Sequence, residues 1–149
     1  MSIICIGMHK ESSEIQVRGM AAGRDHTVIV KEDGSVWTCG SNAYDQLGNG
    51  GTMDRPIPIK IMTGVKTCMA GGYFTLAIND DGTLWSWGLN TYGQLADGTT
   101  TNQPRPVQVN TNVQSAAGGL ESQHCAEGRW HRVGRGPEIS MASLATVQP

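Results

Sequence analysis

The chain repeats itself. "AGRDHTVIVKEDGSVWTCGSNAYDQLGNGGTMDRPIPIKIMTGV" (Ala22 to Val65) aligns without a gap on "AGGYFTLAINDDGTLWSWGLNTYGQLADGTTTNQPRPVQVNTNV" (Ala70 to Val113), and 17 of the 44 positions are identical. The constant step from Ala22 to Ala70 constrains the fold more than any single motif. Each unit must be one supersecondary structure that cannot bury its apolar face alone and stacks on the next.

Each unit reads as β-structure. Asp33-Gly34 and Asp81-Gly82 sit between short apolar or alternating runs, "HTVIV" with "SVWTC" and "FTLAI" with "TLWSW", the pattern of a β-hairpin. Gly40 and Gly88 follow, then "NAYDQLGNG" and "NTYGQLADG", whose Asn, Asp and Gly take tight-turn and left-handed conformations and predict structured loops. Pro56 and Pro58, matched by Pro104 and Pro106, flank short extended segments. A missing N–H is tolerated there only at a sheet edge or strand start, which predicts an outer strand. No helical periodicity interrupts this order.

Four-stranded units of about 40–50 residues are the mark of a β-propeller. The motifs "AAG" with "HT", "DGSVW" and "DGTLWSWG", "NAYDQLGNG" and "NTYGQLADG", and the trailing prolines resemble the regulator of chromosome condensation repeat family from about Val17 to Gly119. The resemblance implies a seven-bladed propeller in complete members. Asp45 stands where Gly93 does, Ala96 where Gly48 does, Cys39 where Trp87 does and Phe74 where His26 does. Asp45 matters most, because a position needing a positive φ suits Gly better than Asp.

The expected architecture is all-β: a partial propeller of about two four-stranded blades of the seven-bladed type, with an irregular C-terminal tail. Residues 1–14 form a degenerate N-terminal segment whose "SIICIG" echoes "SVWTCG" and supplies one extra strand. Residues 15–119 carry the repeats, at about 22–69 and 70–117, and 120–149 form a non-repeat tail. Two repeats do not close a ring. Their open faces predict self-association.

The tail is expected to be a third repeat read out of frame. Synonymous codons for Leu120 to Gly134, read one base later, spell "WSHSIALKDGGTVW", and codons for Pro137 to Pro149, read two bases later, spell "GNQYGQLGNGTT". The hidden Trp, Asn and Tyr each fall one full repeat period after Trp85, Asn90 and Tyr92. Trp130 and Met141, with one codon each, supply the bases this requires.

Candidate chemistry gives way to structural readings. His124, Cys125, Glu127 and His131 are residue types that bind zinc, but a structural site wants paired spacings and the tail has one Cys. No base-orienting group makes Cys125 and His131 a nucleophile pair. His26 reads as a packed strand residue, since Phe74 takes its place in the next unit. Asp80-Asp81-Gly82 and Asp97-Gly98-Thr99 read as turns, not as a twelve-residue calcium loop. Trp37, Trp85 and Trp87 read as packing side chains. The expectation is no catalytic residue, no metal, no cofactor, and binding residues that the sequence leaves unknown.

The formal net charge of −2 lacks the basic footprint of nucleic-acid binding. Cys5, Cys39, Cys68 and Cys125 are too dispersed for a dense disulfide framework and predict isolated thiols. Ile3 to Met8 is too short for a signal or membrane span, and the expected compartment is the cytoplasm unless the chain is a fragment.

The expected function is a non-enzymatic protein–protein interaction scaffold, or a fragment of one, with an unidentified protein partner and no membrane. The alternatives are a guanine-nucleotide exchange regulator of a small GTPase, a secreted bacterial binder or inhibitor, and a non-functional truncated product. The family's exchange factor acts through a protruding β-wedge, for which the two equally short units leave no room. Its plant ultraviolet-B photoreceptor uses a Trp whose matching positions here are Arg24 and Gly72.

Overall fold

The computed structural model describes residues 16–118, 123–126 and 130–133. The strands are β1 (Val17–Ala22), β2 (His26–Lys31), β3 (Val36–Gly40), β4 (Arg55–Met62), β5 (Val65–Ala70), β6 (Phe74–Asn79), β7 (Leu84–Gly88), β8 (Gln103–Asn110), β9 (Ser115–Gly118), β10 (Gln123–Ala126) and β11 (Trp130–Val133). They form two four-stranded antiparallel sheets, β1-β2-β3-β4 and β5-β6-β7-β8, and a three-stranded sheet, β11-β10-β9. The expected extra strand in residues 1–14 lies outside the described residues.

Each hairpin turns where its Asp-Gly pair stands. Gly34 and Gly82 adopt φ of 76° and 83°. The N–H of Gly34 donates to the Lys31 carbonyl and that of Lys31 to the Ser35 carbonyl, so a tight turn ending in a left-handed Gly replaces the two-residue loop. Asp33 and Asp81 accept from the N–H groups of Ser35 and Thr83 at 2.9 Å, the Asx-turn that places Asp there. At the outer edges, β4 and β8 carry Pro56, Pro58, Pro104 and Pro106, where the lost N–H would otherwise have pointed away from the sheet.

The core lies between sheets. Val28, Val30, Val36, Val65, Cys68, Ala77 and Trp87 form one buried cluster spanning the first two sheets. Phe74, Leu76, Ile78, Leu84, Leu95, Val113 and Ala116 form the second, between the second sheet and β9. Strand alternation explains both, since every second residue of β2 and β6 faces the neighbouring sheet.

Register repeats with the sequence. Met20 pairs with Ile29, Cys68 with Ala77, and Ala116 with Cys125, each pair one repeat period after the last. The third sheet then tightens: Cys125 pairs with His131, two residues short of the position that corresponds to Trp85 opposite Ala77. Gln123–Ala126 and Trp130–Val133, expected as irregular chain, are therefore strands. The free N–H and C=O groups along β9 explain it, because backbone pairing makes no demand on side-chain identity. Other residues of the 120–149 tail lie outside the described ones.

One expectation about thiols is corrected. Cys68 is free and buried, with its pKa pushed up to about 11 by burial, but Cys39 is held in a disulfide. Spacing along the chain does not report which sulfurs a stacked fold brings together.

Candidate functional site

The long loops gather at one end of the sheets. The turns from β1 to β2 (Gly23–Asp25) and β5 to β6 (Gly71–Tyr73) lie there, and so do the loops Ser41–Asp54 and Leu89–Asn102. Gly40 and Gly88 open these two long loops at φ of 114° and 106°, and a Cβ on either would come within 2.6 Å of the Asp25 or Tyr73 carbonyl oxygen. Glycine is required by that close approach.

Buried amides make the loops rigid. Asn42 Oδ1 accepts from the N–H of Leu47 at 3.0 Å, and its Nδ2 donates to Asn49 Oδ1 at 2.9 Å and to the Gly51 carbonyl. Asn90 repeats this with Leu95 and Asp97, both at 2.9 Å. Gln46 and Gln94 accept through Oε1 from the N–H groups of Tyr44 and Tyr92. The left-handed residues expected here are present: Asp45 has φ 63° and Gly93 φ 72°, while Ala96 has φ 59° where Gly48 has 75°. Burial raises the Asp45 carboxyl above its ordinary range.

This scaffold holds an aromatic and cationic rim. Tyr44 is 42% exposed, and its ring meets that of Tyr73 from the next sheet at 4.8 Å between centroids, tilted by 54°. The exposed Arg24 guanidinium lies 5.7 Å from the centre of the Tyr73 ring, within cation–π range. Arg24 also ties the sheets together, its N–H donating to the Gly72 carbonyl at 3.0 Å. One repeat further, Tyr92 is 52% exposed. Sequence reasoning named Arg24 only as a mismatch and missed the tyrosines. Tyr44 and Tyr92 stand at the same repeat position, the signal that could have found those two; Tyr73 aligns with Asp25 and carries no such signal.

Beneath the rim runs a buried polar chain between the sheets. Thr75 Oγ1 donates to the Gln46 carbonyl at 2.9 Å, so at 3.0 Å it accepts from His26 Nε2, which fixes the Nε2–H tautomer. The Gln46 carbonyl also accepts from Trp87 Nε1 at 3.0 Å. His26 is 3% exposed and its Nδ1 has no protein partner. Desolvation lowers its pKa to about 4 against the opposing pull of Asp25.

The other singled-out residues fall apart as chemistry. His26 and Trp87 pack between sheets, and Trp37 and Trp85 are half-buried. Asp81 and Asp97 accept from Thr83 and Thr99 within their own turns. Backbone pairing sets Cys125 opposite His131 and His124 opposite Arg132, while Glu127 lies outside the described residues. Among the described residues no three His, Cys, Asp or Glu converge as a metal site would require.

Successive four-stranded antiparallel sheets stacked face to face, with their loops gathered at one end, define a β-propeller protein. The particular family follows from comparison with known sequences. The model of the "Regulator of chromosome condensation (RCC1) repeat" matches residues 33–78 and 81–133, and a second model of the same description matches residues 17–46. The chain belongs to the RCC1 repeat family.

Solved structures agree. The crystal structure of human WBSCR16 superposes with a TM-score of 0.74 at 28% identity, over 88% of this chain and 37% of that one. Yeast RCC1 (Prp20) bound to Kap60 gives 0.70 at 17% identity, over 93% and 34%. Prp20p from Saccharomyces cerevisiae, described with its binding to Gsp1p and histones, gives 0.68 at 19%, over 91% and 35%. The chain thus spans 34–37% of these relatives' length. Comparison with curated proteins finds no match.

Proposed function

We propose that the chain is a non-enzymatic protein-binding module whose contact surface is the rim of Arg24, Tyr44, Tyr73 and Tyr92. The observation that carries this reading is the Tyr44–Tyr73–Arg24 cluster across two sheets, in which Tyr44 and Arg24 are exposed and Tyr73 half-buried, Tyr44 standing on a loop that buried Asn42 and Gln46 lock in place. Tyr and Arg are the residue types in which binding energy concentrates, and Tyr offers large, amphipathic contact at little entropic cost. The rigid loops reduce that cost further. Yeast RCC1, of the same fold, was solved in complex with another protein, Kap60, which supports a protein partner in general.

The test places a photo-crosslinking amino acid at Tyr92 and compares capture by the otherwise unaltered chain and by Tyr44→Ala/Tyr73→Ala. One discrete protein captured by the first and lost from the second, at equal melting temperature, is the expected result. Capture undiminished by the double substitution would refute the rim as the contact surface.

A further inference from the structure

We infer that Asn49 is a site of covalent modification by spontaneous deamidation, and that the aspartate it becomes pairs with Arg55. Asn49-Gly50 is the one Asn-Gly pair in the sequence. Glycine leaves the following backbone nitrogen unhindered and free to turn, and Asn is among the thermally labile residues. The Gly50 nitrogen attacks Asn49 Cγ, the side-chain nitrogen leaves as ammonia with the Gly50 amide proton, and a succinimide ring closes. Solvent water adding at Cγ breaks the new C–N bond and restores the ordinary chain with an aspartate, whereas water adding at the backbone carbonyl gives isoaspartate. The fold bears on this step at both atoms. Gly50, at φ 83°, donates its N–H to the Pro104 carbonyl at 2.8 Å, and that bond must open before the nitrogen can attack. Asn49 Oδ1 accepts from Asn42 Nδ2 at 2.9 Å and from the Gly51 N–H at 3.2 Å, two bonds that draw electrons from Cγ and that a carboxylate oxygen keeps.

The second unit shows what the product does. Its residue at this place is Asp97, which accepts through Oδ1 from Asn90 Nδ2 and the Thr99 N–H and through Oδ2 from Gln103 Nε2 at 2.6 Å. One repeat period before Gln103 stands Arg55, opposite Gly40 in its sheet as Gln103 is opposite Gly88. Deamidation therefore puts a negative oxygen where the first unit already has a cation in the donor's place. A second cation is close, since a Cβ on Gly50 would lie 2.5 Å from Arg105 Nη2. The opposing charge is Asp54, whose carboxylate is engaged by the Asn42 N–H at 2.8 Å. Bonds between charged groups are shorter and stronger than those between neutral ones, so the loop that carries Tyr44 is held more firmly after the reaction than before it. The reaction needs no partner at the rim and stands apart from the proposed binding role.

The test has two arms. The full chain is aged in mildly alkaline buffer and its peptides are mapped by mass, where the expected result is an amide-to-acid mass gain at Asn49 with aspartate among the products. Asn49→Asp made directly is expected to melt about 2–4 °C above the native chain, and the gain to vanish when Arg55→Gln, the residue the second unit carries there, is added. High salt is expected to shrink the same gain. No mass gain at Asn49, or isoaspartate as the sole product, would overturn the proposal. So would an Asn49→Asp variant that melts no higher than the native chain, or one that keeps its gain without Arg55.

Discussion

Lowering the pH should loosen the contact between the first two sheets, and His26 sets the range. Its pKa is lowered to about 4, against 6.5 for an unperturbed histidine. Above pH 6.5 both folded and unfolded chains hold it neutral, and its contribution is constant. Between 6.5 and 4 the unfolded chain takes up a proton that the folded chain refuses, so stability falls with pH by about 1.4 kcal/mol per pH unit. The loss reaches about 3 kcal/mol near pH 4 and then levels off. The cause is burial, which strips water from the ring against the opposing pull of Asp25, and the geometry agrees: Thr75 Oγ1 already accepts from Nε2–H, and a second proton at Nδ1 would have no protein acceptor. The assay is urea denaturation from pH 7 to pH 4, comparing the native chain with His26→Phe, the residue that Phe74 supplies at the equivalent place. The native chain's midpoint is expected to fall by roughly 1–2 M more than the variant's. Equal pH dependence in both, or a His26 resonance titrating near 6.5, would refute the reasoning.

Three further outcomes are expected. Ala96→Gly should stabilise the chain by about 1 kcal/mol and Asp45→Gly by less, since Asp tolerates the left-handed region better than Ala; thermal melts check the order. Trp87→Ala should cost about 3–5 kcal/mol, because it empties a fully buried site and removes the bond to the Gln46 carbonyl, whereas Trp37→Ala, half-buried, should cost less in the same denaturation series. Cys68, buried and with its thiol pushed up to about 11, should resist iodoacetamide in the native chain at neutral pH and react in urea. Mass mapping of the labelled peptide reads it.

What the sequence revealed depended on whether a residue's role was local. The Asp-Gly turns, the proline edges and the positive φ at Asp45 follow from short-range sterics, and the gap-free alignment carried each from one unit to the other. His26 read correctly as a packed residue, but its bond to Thr75 did not, since it crosses 49 residues and depends on how sheets stack. The same is true of Tyr44 on Tyr73 and of the disulfide at Cys39. The strands at Gln123–Ala126 and Trp130–Val133 escaped for the opposite reason. Side-chain patterning was the only guide in the tail, and an open sheet edge recruits backbone whatever the side chains are.

The carbonyl of Gln46 makes the repeating unit more than a unit of folding. Its two donors, Thr75 and Trp87, belong to the following unit, so the first unit carries a socket and the second the plug that fills it. Tandem duplication of such a segment creates a ready-made joint. An array of these repeats can lengthen or shorten by whole units without inventing a new interface.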